Sequence, residues 1–254
     1  MYNIQPKTLI VGKTIKYLPS CHSTNVWCAN YVENESVSEG FAVYTPHQFE
    51  GKGQRGNKWE SEIGKNITMS IFLKPNFLKA SDQFQLNMAI SLGIYEAISK
   101  YLNEDLKIKW PNDLYFDNSK LGGILIENTI FGSNLNTSII GIGLNINQIQ
   151  FEISHATSIK KILGATIDLE IGEIMSLIFE GIEKYYLKLK SGEIDAVRLE
   201  FLEKLFRINQ WHYYRKNDQE FSGKIIGVDN IGRLKMETET SEELFDFKEV
   251  EFII

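Results

Sequence analysis

Residues 106–113 read Leu-Lys-Ile-Lys-Trp-Pro-Asn-Asp. Leu106, Ile108 and Trp110 alternate with Lys107 and Lys109, which is the period of a half-exposed strand. Pro111 has no N–H to give to a ladder, so the strand must end there. Asn112 and Asp113 are turn formers. Seven residues after Asp113 comes Lys120, followed by Leu121-Gly122-Gly123-Ile124 and a second apolar run. This stretch sets two lysines, an amide and a carboxylate around one strand end. That inventory suits phosphate and carboxylate chemistry, with cations for developing negative charge and polar groups to hold a nucleophile or a metal. A Pro-Asn-Asp turn by itself is equally an ordinary strand end, so a second unusual loop carries weight.

That loop is Gly51-Lys52-Gly53-Gln54-Arg55-Gly56-Asn57-Lys58-Trp59. It has the G-x-G-x-x-G form, but a dinucleotide-binding fingerprint should run from a strand into a helix. Here the chain continues into Ile67, Met69, Ile71 and Leu73 at every second position, which predicts a strand. A Rossmann reading is set aside. The glycines let backbone amides approach an anion, and Lys52 and Arg55 add positive charge. Such a loop can close over a charged, water-sensitive intermediate. Its alternative is a solvated surface loop.

The remaining pattern is mixed. Residues 8–18 read as extended. The small polar run 20–25 leads into a helix around 26–32, with Ser23 or Thr24 as N-cap. Phe41-Ala42-Val43-Tyr44-Thr45 reads as a buried strand. Residues 82–102 form an amphipathic helix with Ser81 as candidate cap. Two strands, 122–128 and 137–145, flank a hairpin at Phe131-Gly132-Ser133-Asn134. Helices follow over 171–190 and 193–206. Beyond 206 come short strands, 221–228 and 233–237, joined by Asp229-Asn230-Ile231-Gly232. We therefore expect one unit over 1–206 and a small all-β module over 207–254.

The formal charge of −6 at pH 7 carries no general nucleic-acid footprint. The two cysteines, Cys21 and Cys28, are too few for a zinc site or a secreted disulfide framework. Neither a basic-then-apolar leader nor an apolar run of transmembrane length occurs. A cytoplasmic protein without a membrane partner is expected, with no dedicated metal site.

Four segments stand in one order: Ser23-Thr24-Asn25, then Gln48 with the glycine loop to Trp59, then Lys109 to Asp113 with Lys120, then the run 141–145. Their order and spacing resemble biotin protein ligases (biotin–acetyl-CoA-carboxylase ligases) over roughly residues 15–150, and more weakly into the β module. The resemblance implies an α+β fold. Its catalytic domain would be a mixed β-sheet flanked by helices, related to class II aminoacyl-tRNA synthetases and lipoate ligases, followed by a small SH3-like β-barrel. The first motif begins at residue 23, which points to the monofunctional form without the DNA-binding helix-turn-helix of repressor members.

The resemblance also implies a reaction. Biotin's carboxylate attacks the α-phosphorus of ATP, giving biotinyl-5′-AMP and pyrophosphate; a lysine of a biotin carboxyl carrier protein then takes the biotinyl group and AMP leaves. Lys120 is the chief catalytic candidate, touching carboxylate and phosphate, with Asp113 and Asn112 beside it. Asp113 either orients or deprotonates the acceptor lysine, or helps place magnesium arriving with ATP. Ser23, Thr24, Asn25, Gln48, Lys52, Gly53, Gln54 and Lys120 are assigned to biotin. Gly51, Lys52, Arg55, Trp59, Asn112, Lys120 and Asn145 are assigned to ATP and the adenylate. The loop departs from the family's frequent pattern, which has arginines at its second and fourth positions. Here these are Lys52 and Gln54, so either Arg55 takes over or the adenylate is held less tightly. A homodimer through sheet edges is within the family's habits. The rival readings are a lipoate or octanoate ligase on the same fold and a non-catalytic biotin-binding module.

Overall fold

The computed structural model describes residues 2–254, the side chain of Arg55 excepted. Seven strands, β1 (Ile15–Tyr17), β2 (Ala42–Tyr44), β3 (Asn66–Leu73), β4 (Leu106–Lys109), β5 (Asp113–Phe116), β6 (Ser119–Phe131) and β7 (Asn134–Asn145), form one sheet in the order β1-β2-β3-β7-β6-β5-β4. β1 and β2 run parallel and the other pairs antiparallel. The sheet is mixed, as expected. The expected hairpin turns at 131–134, but its strands extend further toward the tip than the apolar runs suggest.

The alternation in β3 divides the sheet's two faces. Ile67, Met69, Ile71 and Leu73 enter the main core, shared with α2 (Gln83–Ile98) and α4 (Ile171–Lys190). Phe72 points the other way, into a smaller cluster with Cys28 of α1 (Thr24–Asn34). α1 packs on β2, β3 and β7. The same face over β6, β5 and β4 is left open, and the cleft lies there.

Several expected details differ. Within 8–18 only β1 is a strand. α2 stops at Ile98, four residues early, and Ser81 bonds the carboxylate of Asp82 instead of capping. The short elements β5 and α3 (Ile159–Leu163) were not anticipated, since four or five residues carry too little periodicity to read. α5 (Ile194–Glu203) matches the last expected helix.

The C-terminal strands, β8 (Trp211–Lys216), β9 (Gln219–Val228), β10 (Leu234–Thr238), β11 (Glu242–Phe245) and β12 (Glu251–Phe252), form a second, antiparallel sheet in the order β11-β10-β9-β8-β12. Its outer strands β11 and β12 do not pair, so this sheet stays open and the expected SH3-like barrel is corrected. The neighbouring sheet supplies the reason: Phe247 and Phe252 of the module stack against Trp110 and Phe206 respectively, so apolar groups find cover in the larger unit. No helix among the described residues is long and apolar enough to cross a membrane.

Candidate active site

One register row crosses five strands. Thr68 of β3 pairs with Gly143 of β7, Gly143 with Gly123 of β6, Gly123 with Asp113 of β5, and Asp113 with Lys109 of β4. Directly paired residues share a face, and neighbouring strands lie about 4.8 Å apart. These five residues therefore form a continuous floor, and all of them line a cleft of about 750 Å³. That volume lies within the usual range for a small-molecule site.

The glycines in and beside this row make room. A Cβ on Gly143 would stand 2.4 Å from the indole of Trp59, and one on Gly123 would stand 3.1 Å from Asp113 Oδ1. Two residues along β7, a Cβ on Gly141 would stand 2.4 Å from Asn25 Oδ1. Trp59 thus lies on bare backbone, and its Nε1 is buried without a hydrogen-bond partner.

At the α1 end the polar groups form a directed chain. Ser23 occupies the N-cap position but makes no side-chain cap bond. Gln48 caps instead, its Oε1 accepting from the N–H of Thr24 at 2.8 Å. The amide nitrogen of Gln48 is thereby turned away as a donor. Asn25 Nδ2 donates to Glu127 at 2.7 Å, which fixes its Oδ1 as the acceptor for Ser70 Oγ at 2.6 Å. Thr24 Oγ1 lies 2.8 Å from Ser70 Oγ and directs its one proton to Gln48 Oε1 at 3.2 Å, which leaves it lone-pair capacity for a ligand. Ser70 and Glu127 escaped the sequence reading.

At the centre, Lys120 Nζ lies 2.8 Å from Asp113 Oδ1. A β-bulge brings Lys120 there. The β5–β6 register shifts between Leu114 and Tyr115, so Tyr115 pairs with Lys120 rather than Leu121. The extra residue sends Leu121 into the core, fully buried, and turns Lys120 onto the cleft face, the re-aiming role bulges often serve. The Lys120 backbone is clamped by His155 and Thr157, at 2.6 and 2.9 Å. Asn112 ties the β4–β5 turn to β6 by giving its amide to the Ile124 carbonyl and accepting the Ile124 N–H. Trp110 donates from Nε1 to the Gly232 carbonyl at 2.8 Å, and Phe247, Val250 and Phe252 complete the far wall.

Ser23, Thr24, Asn25, Gln48, Lys52, Gly53, Gln54, Trp59, Asn112, Asp113 and Lys120 all line this cleft. Two expected residues do not: Gly51 lines a neighbouring hollow, and Asn145 is buried with its amide on the Thr157 carbonyl. The expectation for Arg55 falls on a side chain outside the described residues.

A sheet floor, a polar pocket and a paired lysine and carboxylate outline a candidate small-molecule site. The model of the biotin/lipoate A/B protein ligase family matches residues 17–145, just over half of the chain, and the chain belongs to that family. It is similar to the bifunctional ligase/repressor BirA of Escherichia coli (strain K12), 29% identical over 230 residues, 89% of this chain and 70% of that protein. The biotin--[acetyl-CoA-carboxylase] ligase of Paracoccus denitrificans is 25% identical over 218 residues, 83% of this chain and 89% of that one. Among solved structures, the biotin protein ligase from Aquifex aeolicus in complex with biotin and ATP shares the fold, with a TM-score of 0.78 at 24% identity over 95% of this chain and 99% of that one.

Proposed function

We propose that this chain is an ATP-dependent biotin protein ligase, which forms biotinyl-5′-AMP and passes the biotinyl group to a lysine of a biotin carboxyl carrier protein. The arrangement at Lys120 carries the reading: a cation on the cleft floor between a pocket of fixed donors and acceptors and a second lysine. Joining a carboxylate to a triphosphate brings two anions together, and positive charge in a partly dry site offsets their repulsion. Residues 1–206 would form the catalytic unit and 207–254 the module closing its far wall.

The polar chain at the α1 end suits biotin's ureido ring. Thr24 Oγ1 offers an acceptor for a ring N–H, while Gln48 Nε2 and the Ser23 hydroxyl offer donors for the ring carbonyl. A lipoyl dithiolane would leave those groups buried and unpaired, at about 1–3 kcal/mol each. The relatives named as biotin ligases support the same choice. Lys52 and Trp59 would cover the adenylate. Asp113 commits Oδ1 to Lys120, leaving Oδ2 for the incoming amine. Magnesium would arrive on ATP's phosphate oxygens; Asp113 and Glu251, the carboxylates among the lining residues, are hard oxygen donors that suit a metal so carried.

ATP–pyrophosphate exchange tests the reading. Exchange should require biotin and fail with lipoate. Exchange driven by lipoate alone, or none with either acid, would overturn it.

A further inference from the structure

We propose that Lys109 is a second catalytic cation, the one that receives the leaving pyrophosphate. The inference rests on the adenylating reading above and assigns a direction to the reaction across the sheet.

The floor row supplies that direction. The proposed biotin pocket lies at the β3–β7 end, around Thr24, Asn25 and Ser70. Lys120 and Asp113 stand over β6 and β5. Lys109 is the next residue in the row, about one strand spacing further from the pocket. In phosphoryl transfer the attacking and leaving oxygens stand roughly in line on opposite sides of phosphorus. A carboxylate entering from the β7 side therefore expels pyrophosphate toward β4, where Lys109 is.

The surroundings of Lys109 answer its charge only in part, through the Asp113 carboxylate opposite it. Its Nζ lies 4.6 Å from the ring centroid of Tyr115 and 4.8 Å from that of Phe252, and donates to Tyr115 Oη at 3.3 Å. Aromatic faces hold a cation in place without neutralising it. Asp113, opposite it in register, already pairs with Lys120. Lys120 and Arg207 add further positive potential around it. An ammonium so enclosed shares Asp113 with Lys120, which holds the ion pair, and faces the cleft, where an anionic ligand completes its charge balance.

The chemical step balances without a proton. A carboxylate oxygen of biotin forms a bond to the α-phosphorus. The bond from that phosphorus to the bridging oxygen of the β-phosphate breaks, its electron pair leaves with pyrophosphate, and Lys109 meets the charge that develops there.

Two assays on the whole chain test this, with Lys109→Met as the variant. The first is biotin-dependent ATP–pyrophosphate exchange with magnesium. The second is transfer from synthetic biotinyl-5′-AMP to a biotin carboxyl carrier domain, a step from which pyrophosphate has already gone. Exchange should fall about 100-fold, while transfer stays within about threefold. Lys109→Arg should recover much of the exchange. Equal loss in both assays would make Lys109 structural and overturn the inference, as would loss in neither. Should the methionine variant not fold, Lys109→Gln is read by the same two assays. Wild-type exchange that is absent defeats the adenylating reading itself, a separate outcome.

Discussion

Lys109 and Asp113 face each other in register across β4 and β5, yet Asp113 gives its Oδ1 to Lys120, 2.8 Å away. Lys109 is left between two rings. Burial pushes its ammonium down to about 8; the Asp113 carboxylate opposes this, while Lys120 and Arg207 add to it. Tyr115 touches the same Nζ, but burial raises its hydroxyl, which stays neutral in this range. As pH rises through about 8, the free protein should lose this cation and kcat/KM for ATP should fall. An arginine at 109 keeps its charge, so its profile should stay flat. Superimposable profiles for the two proteins would contradict the assignment. Stability has the opposite sign: between about 8 and the ordinary lysine value of 10.5, the unfolded chain binds more protons. Wild type should therefore gain stability with rising pH relative to Lys109→Met.

Removing the central cation should cost more. Lys120→Ala takes away the group that meets both anions and leaves Asp113 without its partner. We expect biotin-dependent pyrophosphate exchange to fall by about 100-fold or more. Exchange near the wild-type rate would remove Lys120 from the mechanism.

Gly141→Ala places a Cβ 2.4 Å from Asn25 Oδ1. Asn25 cannot swing aside freely, being held by Ser70, Glu127 and the Leu125 carbonyl. The strain should cost about 1–3 kcal/mol of stability. It should also raise KM for biotin while leaving KM for ATP nearly unchanged, since the ATP-side groups lie on other strands. Steady-state kinetics varying each substrate would show the split; an equal rise in both would point to a general loss of structure.

Trp110→Phe removes the hydrogen bond to the Gly232 carbonyl and keeps a ring beside Phe247. A buried bond of this kind contributes about 1 kcal/mol, more if the carbonyl is left unpaired. A lower urea midpoint at unchanged slope is the expected result. An unchanged midpoint would mean that the two sheets do not depend on this contact.

The sequence is most legible where the chemistry is local. The Leu106–Trp110 alternation and the proline stop predict β4 and its turn, and the Asp229–Gly232 signal predicts the β9–β10 hairpin. What escapes is set by pairing across strands. Nothing within 113–121 announces a bulge, yet that single shift decides whether Lys120 or Leu121 faces the cleft. Ser70 and Glu127 become part of the site only through a partner, Asn25, 45 and 102 residues away in the chain. Asn145, placed at a strand end as expected, gives its amide to the Thr157 carbonyl of a neighbouring loop. Whether the C-terminal strands close on themselves depends on what the larger sheet offers them, which no short-range pattern encodes.

Gln48 joins two tasks in one amide. Its oxygen receives the first N–H of α1, so the group cannot turn over without setting two donors face to face. The pocket therefore has a polarity settled during folding, before any ligand is met. A ligand that matches it needs no rearrangement and spends little of its affinity on ordering side chains. One that presents the mirror pattern of donors and acceptors finds no rotamer able to oblige, so discrimination by this chain begins with a helix cap.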